Sequence, residues 1–274
     1  MRWFCDGRAM QVVLAALMAL AVSHAPVRAG EEGEEVDVAL VLAVDISYSM
    51  DLDEQKLQKQ GYIEALVSAE VQRAISMGMT GRIALAYVEW ADAVNQRLVL
   101  PWTLIDGPEA ARKATDIIAA SSIRRDRRTS ISGALAFSHQ LMKDLPFRPL
   151  RKVVDVSGDG PNNAGEAIEV ARDRLLADGI VINGLPIILA RSGGGWGYIP
   201  NLDQYYQDCV IGGPGSFMIP ITTMEQFLSA TKQKIIREVA ELGMSDAIPV
   251  QDRRGRTDCT IGERMMRERE RWFN

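Results

Sequence analysis

Five oxygen-bearing side chains lie where the chain leaves a regular element. Asp45, Ser47 and Ser49 alternate directly after an apolar run that is typical of a buried strand. Thr129 lies just before a helical pattern, and Asp159 comes directly after another short apolar run. In an open sheet of parallel strands, ligands bind beyond the carboxyl ends of the strands. We therefore expect these five side chains to form one site.

The chemistry of this set is that of a hard cation. It offers two carboxylates and three hydroxyls, with no histidine and no cysteine. Such donors suit Mg²⁺, Mn²⁺ or Ca²⁺ and disfavour Zn²⁺ and copper. Two carboxylates do not complete the shell of an octahedral cation, so water or an outside ligand must fill the remaining positions. The pattern predicts a divalent-cation site, with Mg²⁺ as the favoured ion, that accepts a carboxylate from another molecule.

The elements that must position these residues alternate between strands and helices. Strands are predicted at 36–44, 82–90, 97–100, 152–156, 180–189 and 217–221. Helices are predicted from Asp53 to Gly78 and at 107–120, 131–144, 164–177 and 224–242. The order predicts an α/β fold with a doubly wound, mostly parallel sheet, helices on both faces and one antiparallel edge strand. We expect a linker at 30–35, one domain at 36–243 and a charged segment at 244–274. This last segment is expected to be a tail or a surface helix rather than a second domain.

The site and its neighbours resemble the metal-ion-dependent adhesion site of von Willebrand factor type A (VWA) domains. Three motifs carry the resemblance: Asp45-x-Ser47-x-Ser49, Thr129-Ser130-Ile131-x-x-Ala134-Leu135 and Asp159-Gly160. In element order it extends from about 36 to 239, and in detail it is most similar to a bacterial family of secreted VWA-like proteins of unknown function. One departure is Gly158, where the family's usual threonine would place a hydroxyl beside Asp159.

The resemblance implies a function and a role for each residue. Ser47, Ser49 and Thr129 would ligate the cation through their hydroxyls, and Asp45 and Asp159 would act directly or through water. The implied function is non-enzymatic: the cation binds an aspartate or glutamate that a protein partner presents.

Two other interpretations stay open. A structural or scaffolding module with a vestigial site would keep the same residues, because Asp and Ser also cap helices and form turns. The segment 158–163 also resembles the last motif of haloacid-dehalogenase-type phosphatases. That chemistry needs a second acid where this chain has Ser47, and a final acid where it has Asn163. A serine hydrolase is disfavoured because His139 is the only histidine after the first 29 residues.

Basic and aromatic residues are candidates for the rim of the site. Arg124, Arg125, Arg127 and Arg128 directly precede Thr129. We favour a solvated loop for this segment; in the functional alternative, Arg125, Arg127 and Arg128 surround the mouth of the site and attract an acidic partner. Trp196 and Tyr198, in a glycine-rich loop, are candidate rim aromatics because interfaces favour such side chains.

The first 29 residues have the pattern of a cleavable signal peptide. Arg2 and Arg8 precede an uncharged, mostly apolar run at 10–22, and Val27-Arg28-Ala29 predicts cleavage after Ala29. The run is shorter than the roughly 20 residues that span a bilayer. We therefore expect a secreted or periplasmic protein with no membrane span in the mature chain.

The mature chain is acidic and retains two cysteines. Loss of three Arg and one Asp takes the net charge from −5 to −7. This balance predicts no binding to nucleic acid. Cys209 and Cys259 remain after cleavage, and paired cysteines are common in oxidising compartments. The sequence does not show whether the two approach each other, so a disulfide and two free thiols both stay open.

Overall fold

A five-stranded sheet with the order β3-β2-β1-β4-β5 forms the centre of the fold. Neighbouring strands are parallel, except that β2 and β3 are antiparallel. The strands are β1 (Glu35–Asp45), β2 (Ile83–Trp90), β3 (Gln96–Ile105), β4 (Arg148–Gly158) and β5 (Ile180–Pro186). The predicted mostly parallel sheet with an antiparallel edge strand is therefore confirmed.

This computed structural model describes residues 33–189, 198–240 and 257–273. The expected signal peptide at 1–29 and the candidate rim residue Trp196 lie outside the described residues. From Gly33 onward the described residues belong to one compact unit. Within these ranges, no helix is long and apolar enough to cross a membrane.

Helices cover both faces of the sheet. They are α1 (Leu52–Val67), α2 (Ala69–Ser76), α3 (Pro108–Ala120), α4 (Ile131–Lys143), α5 (Ile168–Ala177), α6 (Leu202–Tyr205), α7 (Phe227–Val239) and α8 (Ile261–Phe273). A π-helical turn at Tyr206–Val210 follows α6, and a 3-10 turn at Met224–Gln226 precedes α7. Alternate side chains of β1 enter different cores: Val41 packs on the side of α4 and α5, and Leu42 on the side of α1, α3 and α7. Side chains that alternate along a strand in this way explain the continuous apolar run of β1.

The helix predicted from Asp53 to Gly78 is instead two helices, so this prediction is wrong in one respect. Ser68 is extended, with φ −66° and ψ 145°, and its hydroxyl accepts from the backbone N–H of Val71. Serine is a preferred N-cap residue because its oxygen satisfies an unpaired N–H of the first turn. The break leaves Val67 exposed, although the sequence pattern places it on the buried face.

Other predicted bounds also differ: β4 extends over Arg148–Gly158 rather than 152–156, β5 ends at Pro186 rather than 189, and three further differences have a clear structural description. The strand predicted at 217–221 is reduced to isolated bridges of Met218 and Ile221 to the β5 side, because Pro220 has no N–H for a continuous ladder. The helix predicted from 164 begins only at Ile168, since Gly165 has a φ of +84° that a helix does not allow. The edge strand β3 extends to Ile105 rather than ending at 100.

The C-terminal segment is attached to the domain at two points. Cys209 and Cys259 form a disulfide with a Cα–Cα distance of 5.5 Å. Ile261 and Met265 of α8 pack against the same core as α4 and α5. The described part of the charged tail is thus a surface helix fixed to the sheet.

A buried ionic cluster attaches α7 to the sheet. Lys234 Nζ lies 2.7 Å from Asp155 Oδ1 of β4, and both side chains are fully buried. Lys234 also pairs with Glu238, whose Oε1 accepts from Asn183 Nδ2 over 3.3 Å. Burial, and then the charge of Asp155, raise the pKa of Glu238 to about 7. The single lysine therefore compensates two buried acids, and one of them is protonated readily.

Candidate metal centre

The two carboxylates of the predicted site lie on neighbouring strands. Asp45 is the last residue of β1, and Asp159 directly follows the last residue of β4. The strands are parallel, with Val44 opposite Ser157, so both carboxylates lie at the same edge of the sheet. This carboxyl edge is where α/β sheets bind ligands.

A chain of hydrogen bonds connects four of the five predicted site residues. The backbone N–H of Ser47 donates to Asp45 Oδ1 over 2.7 Å. The hydroxyl oxygens of Ser47 and Ser49 are 2.7 Å apart. Ser49 Oγ in turn donates to Asp159 Oδ1 over 2.5 Å. The two serines that alternate after Asp45 thus connect the Asp45 carboxylate to the Asp159 carboxylate through hydrogen bonds. We call these four residues the Asp/Ser cluster.

The electrostatics of the Asp/Ser cluster favour a bound cation. Asp45 is fully buried, and its Oδ2 has no hydrogen-bond donor among the described residues. Burial, and then the negative charge of Asp159, raise the pKa of Asp45 well above its ordinary value. Both causes disfavour the ionised carboxylate, and a nearby positive charge would oppose both.

Thr129, the fifth predicted residue, lies in the loop that adjoins the cluster. This loop pairs with the loop after β1, because the backbone N–H of Tyr48 donates to Asp126 O over 2.8 Å. Thr129 is buried, and Arg128 before it has a φ of 69°, which few non-glycine residues adopt. Within the described ranges, no hydrogen bond joins the Thr129 hydroxyl to the Asp/Ser cluster. The structure therefore places Thr129 beside the cluster but outside its hydrogen-bond network.

Two asparagines that the sequence analysis did not assign to the site fix the position of Thr129. The backbone N–H of Thr129 donates to Asn163 Oδ1 over 2.9 Å, and the N–H of Asn163 donates to Thr129 O over 2.8 Å. Asn162 Oδ1 accepts from the backbone N–H of Ser132 over 2.9 Å. Asn162 Nδ2 donates to Glu263 of α8 over 2.7 Å. The sequence signal that could have indicated this role is the pair of asparagines after the Asp-Gly-Pro turn, because Asn side chains often form hydrogen bonds with the backbone in turns.

The arginines expected at the rim divide into different roles. Arg125 Nη2 donates to Tyr48 O over 2.8 Å and to Met50 O over 2.5 Å, and its guanidinium lies 5.0 Å from the centre of the Tyr48 ring. Arg128 pairs with Glu270 of α8 at 3.0 Å. The side chain of Arg127 is exposed. Arg125 thus stabilises the loop that carries the two serines, which the sequence pattern did not indicate.

Tyr198 is the candidate rim aromatic that falls within the described residues, and its side chain is 37% exposed.

The donor set fits a hard cation without a third acid. Within the described residues, no group of three or more His, Cys, Asp or Glu side chains could hold a metal ion. A cation at this site would instead depend on two carboxylates together with hydroxyl oxygens, which suit Mg²⁺, Mn²⁺ or Ca²⁺. Asp45 Oδ2 is buried and has no hydrogen-bond partner of its own among the described residues, while hydrogen bonds from Ser47 and from the backbone of Asp159 partly offset the cost of the ionised carboxylate.

Solved structures with the same fold include VWA domains. Proximal thread matrix protein 1 from the mussel byssus, solved "with zinc occupied MIDAS motif", is 16% identical with a TM-score of 0.56 over 76% of this chain and 49% of that one. A von Willebrand factor type A protein from Catenulispora acidiphila is 14% identical, with a TM-score of 0.51 over 75% and 43%. The pilus adhesin SpaC from Lactobacillus rhamnosus GG is 10% identical, with a TM-score of 0.57 over 76% and 31%. This chain therefore has a VWA-type fold and spans less than half the length of each of these proteins.

The family is assigned from the sequence. A model described as "Protein of unknown function (DUF1194)" matches residues 35–243, so the chain belongs to that family. A comparison with curated proteins finds no match.

Proposed function

We propose that this chain is a secreted or periplasmic VWA-like binding module that uses a divalent cation, Mg²⁺ in preference, to bind an aspartate or glutamate of a protein partner. The observation that carries the proposal is the buried Asp45 carboxylate, which faces the charge of Asp159 and has an oxygen without a donor. A buried anion in this situation is costly unless a cation or a proton compensates it.

Each residue of the site has a role in this proposal. Asp45 and Asp159 would hold the cation, directly or through water. Ser47, Ser49 and Thr129 would add hydroxyl oxygens. The bound ion would supply positive charge with open coordination positions, which a carboxylate of the partner would complete. The exposed Arg127 would attract that acidic partner at longer range.

Export of the chain is supported by two independent features. The segment 1–29 has the charge and apolar pattern of a signal peptide. The Cys209–Cys259 disulfide suits the oxidising conditions of the periplasm or the extracellular space. One similar structure is that of a pilus adhesin.

A binding role is favoured over catalysis by the chemistry of the site. Ser47 stands where a haloacid-dehalogenase-type phosphatase needs its second acid, and its hydroxyl is hydrogen-bonded to Ser49. His139, the candidate base for a hydrolase, is buried on α4 with its Nε2 2.6 Å from Asp178 Oδ2. Neither residue offers a proton-transfer group at the Asp/Ser cluster.

A structural module with a vestigial site is the second candidate, and one observation favours it. The serine hydroxyls already connect the two carboxylates through the Ser47–Ser49–Asp159 hydrogen bonds. A loop held in this way would keep its shape without an ion.

Partner capture with and without a chelator distinguishes the two candidates. Immobilised mature chain is incubated with an extract in Mg²⁺, washed, and eluted with EDTA. We expect specific proteins in the EDTA eluate. They should be lost with Asp45→Ala and kept with Asp53→Ala, a matched exposed acid on α1 that pairs with Lys56. If the captured proteins stay bound in EDTA, and bind equally to Asp45→Ala, the result would contradict the binding module and favour the structural one.

A further inference from the structure

Tyr206 reaches the metal centre from a distant part of the sequence. It opens the π-helical turn at Tyr206–Val210 and is fully buried. A Cβ at Gly184 of β5 would lie 2.6 Å from Tyr206 Cδ1, and a Cβ at Gly158 of β4 would lie 3.0 Å from Tyr206 Oη. The tyrosine ring therefore packs directly over the backbone of two strands, and both positions need glycine.

The hydroxyl of Tyr206 and the orphaned oxygen of Asp45 face the same point. A Cβ at Gly158 would lie 2.9 Å from Asp45 Oδ2, close to the distance from Tyr206 Oη. Both oxygens are buried, and within the described residues neither has a hydrogen-bond partner. Buried polar atoms normally have partners, so two unpaired ones at one point indicate a shared ligand.

The position of Tyr206 is fixed by contacts on both sides of the π-helical turn. Its carbonyl accepts from the backbone N–H of Ile211 over 2.9 Å. Arg172 Nη1 donates to Asp208 O over 3.0 Å, and Cys209 is held by its disulfide to Cys259. The hydroxyl is thus held at the site by a rigid support, and π-helical turns often occur at functional sites.

We infer that Tyr206 is a positioning residue of the metal centre, and that its hydroxyl supplies the polar group that position 158 lacks. The inference rests on the proposed function. Position 158 is a glycine and has no side chain of its own beside Asp159. Tyr206 Oη lies 3.0 Å from where a side chain at 158 would start. No hydrogen bond joins the two oxygens directly within the described residues, so the phenol would donate its O–H to a water that the Asp45 carboxylate holds and would thereby orient the ligand oxygen.

Tyr206→Phe tests the inference because it removes one oxygen and keeps the ring over Gly184. Mg²⁺ affinity is measured by isothermal titration calorimetry on chelator-treated protein. The rise in melting temperature caused by Mg²⁺ is measured alongside. Loss of a group that orients a metal ligand weakens affinity by about 10–100-fold, so we expect a fall in that range and a smaller Mg²⁺-induced rise.

Tyr87→Phe is the matched control, since it deletes a buried phenol in the middle of β2, opposite Leu42 of β1. It should leave Mg²⁺ affinity and the Mg²⁺-induced rise as in wild type. A purely structural role for Tyr206 would instead lower the melting temperature equally with and without Mg²⁺.

A second variant, Gly158→Ala, perturbs the same point independently and is measured both alone and in the Tyr206→Phe background. The added methyl would lie 2.9 Å from Asp45 Oδ2 and 3.0 Å from Tyr206 Oη. It should weaken Mg²⁺ binding, by less in the Tyr206→Phe background than in wild type, because that background removes the second of these contacts. Wild-type affinity in Tyr206→Phe, or additive effects in the double variant, would overturn the inference while the proposed function stands. Absence of Mg²⁺ binding by wild type would overturn both.

Discussion

Asp45→Asn separates two opposite effects that the proposed metal centre should have on the stability of the fold: a cost of the buried charge without a cation and a gain when a cation binds. Asparagine keeps an oxygen that accepts from the Ser47 N–H and removes the negative charge of the carboxylate. Without metal the variant should be as stable as wild type or more stable, because it removes a buried charge that faces another carboxylate. With Mg²⁺ it should gain nothing.

The size of the Mg²⁺-induced stabilisation that the variant should lack follows from mass action. A ligand at about 100 times its dissociation constant stabilises the folded state by about 2.7 kcal/mol. For a unit the size of the one that begins at Gly33, each kcal/mol moves the melting temperature by about 2–4 °C. Wild type should therefore melt about 5–10 °C higher in saturating Mg²⁺ than in EDTA.

Differential scanning fluorimetry of wild type, Asp45→Asn and Asp53→Ala in EDTA and in Mg²⁺ measures these effects. Asp53→Ala is the control, because this acid is exposed and lies outside the Asp/Ser cluster. An Mg²⁺-induced rise of equal size in Asp45→Asn would refute the reasoning. A large loss of stability of Asp45→Asn in EDTA would also contradict it, since the Asp45 charge would then be favourable without a cation.

The remaining predictions concern the support of the site. The pKa of Glu238 is raised from 4.5 to about 7, so the folded chain retains a proton that the unfolded chain loses between these values. The free energy of unfolding should therefore fall by on the order of 3 kcal/mol as pH rises through this window. Glu238→Gln should reduce the dependence of the urea midpoint on pH, and an unchanged dependence in this variant would contradict the assignment. Lys234→Met leaves the two buried acids without their cation and should cost about 3–5 kcal/mol in urea unfolding; a near-neutral effect would disprove the pairing with Asp155. Replacing Cys209 and Cys259 by alanine removes a disulfide with a sequence separation of 50 and should lower the free energy of unfolding by about 4 kcal/mol. Equal urea midpoints for reduced and oxidised wild type would argue against the disulfide.

The framework of the fold could be predicted because its signals are local. The apolar run of β1 and the alternation of strands with helices predict a parallel sheet covered on both faces. The short link between β2 and β3 predicts the antiparallel edge. The Asp/Ser cluster follows from the same logic, since Asp45 and Asp159 both come directly after strands that lie side by side.

Other features depend on contacts that no local pattern records. Tyr206 reaches Asp45 across more than 150 positions of sequence, and only the glycines at 158 and 184 make room for it. The sequence pattern indicated Arg125 as a rim cation, but its guanidinium donates hydrogen bonds to carbonyls of the neighbouring loop. The break at Ser68 was missed because its apolar neighbours continue the helical period, whereas the capping bond depends on one hydroxyl.

Calorimetric titration of Mg²⁺ into chelator-treated wild type tests the central claim most directly. The account predicts saturable binding to a single site, abolished by Asp45→Ala and retained by Asp53→Ala. Absence of binding by wild type, or equal binding by wild type and Asp45→Ala, would contradict a metal centre at the Asp/Ser cluster.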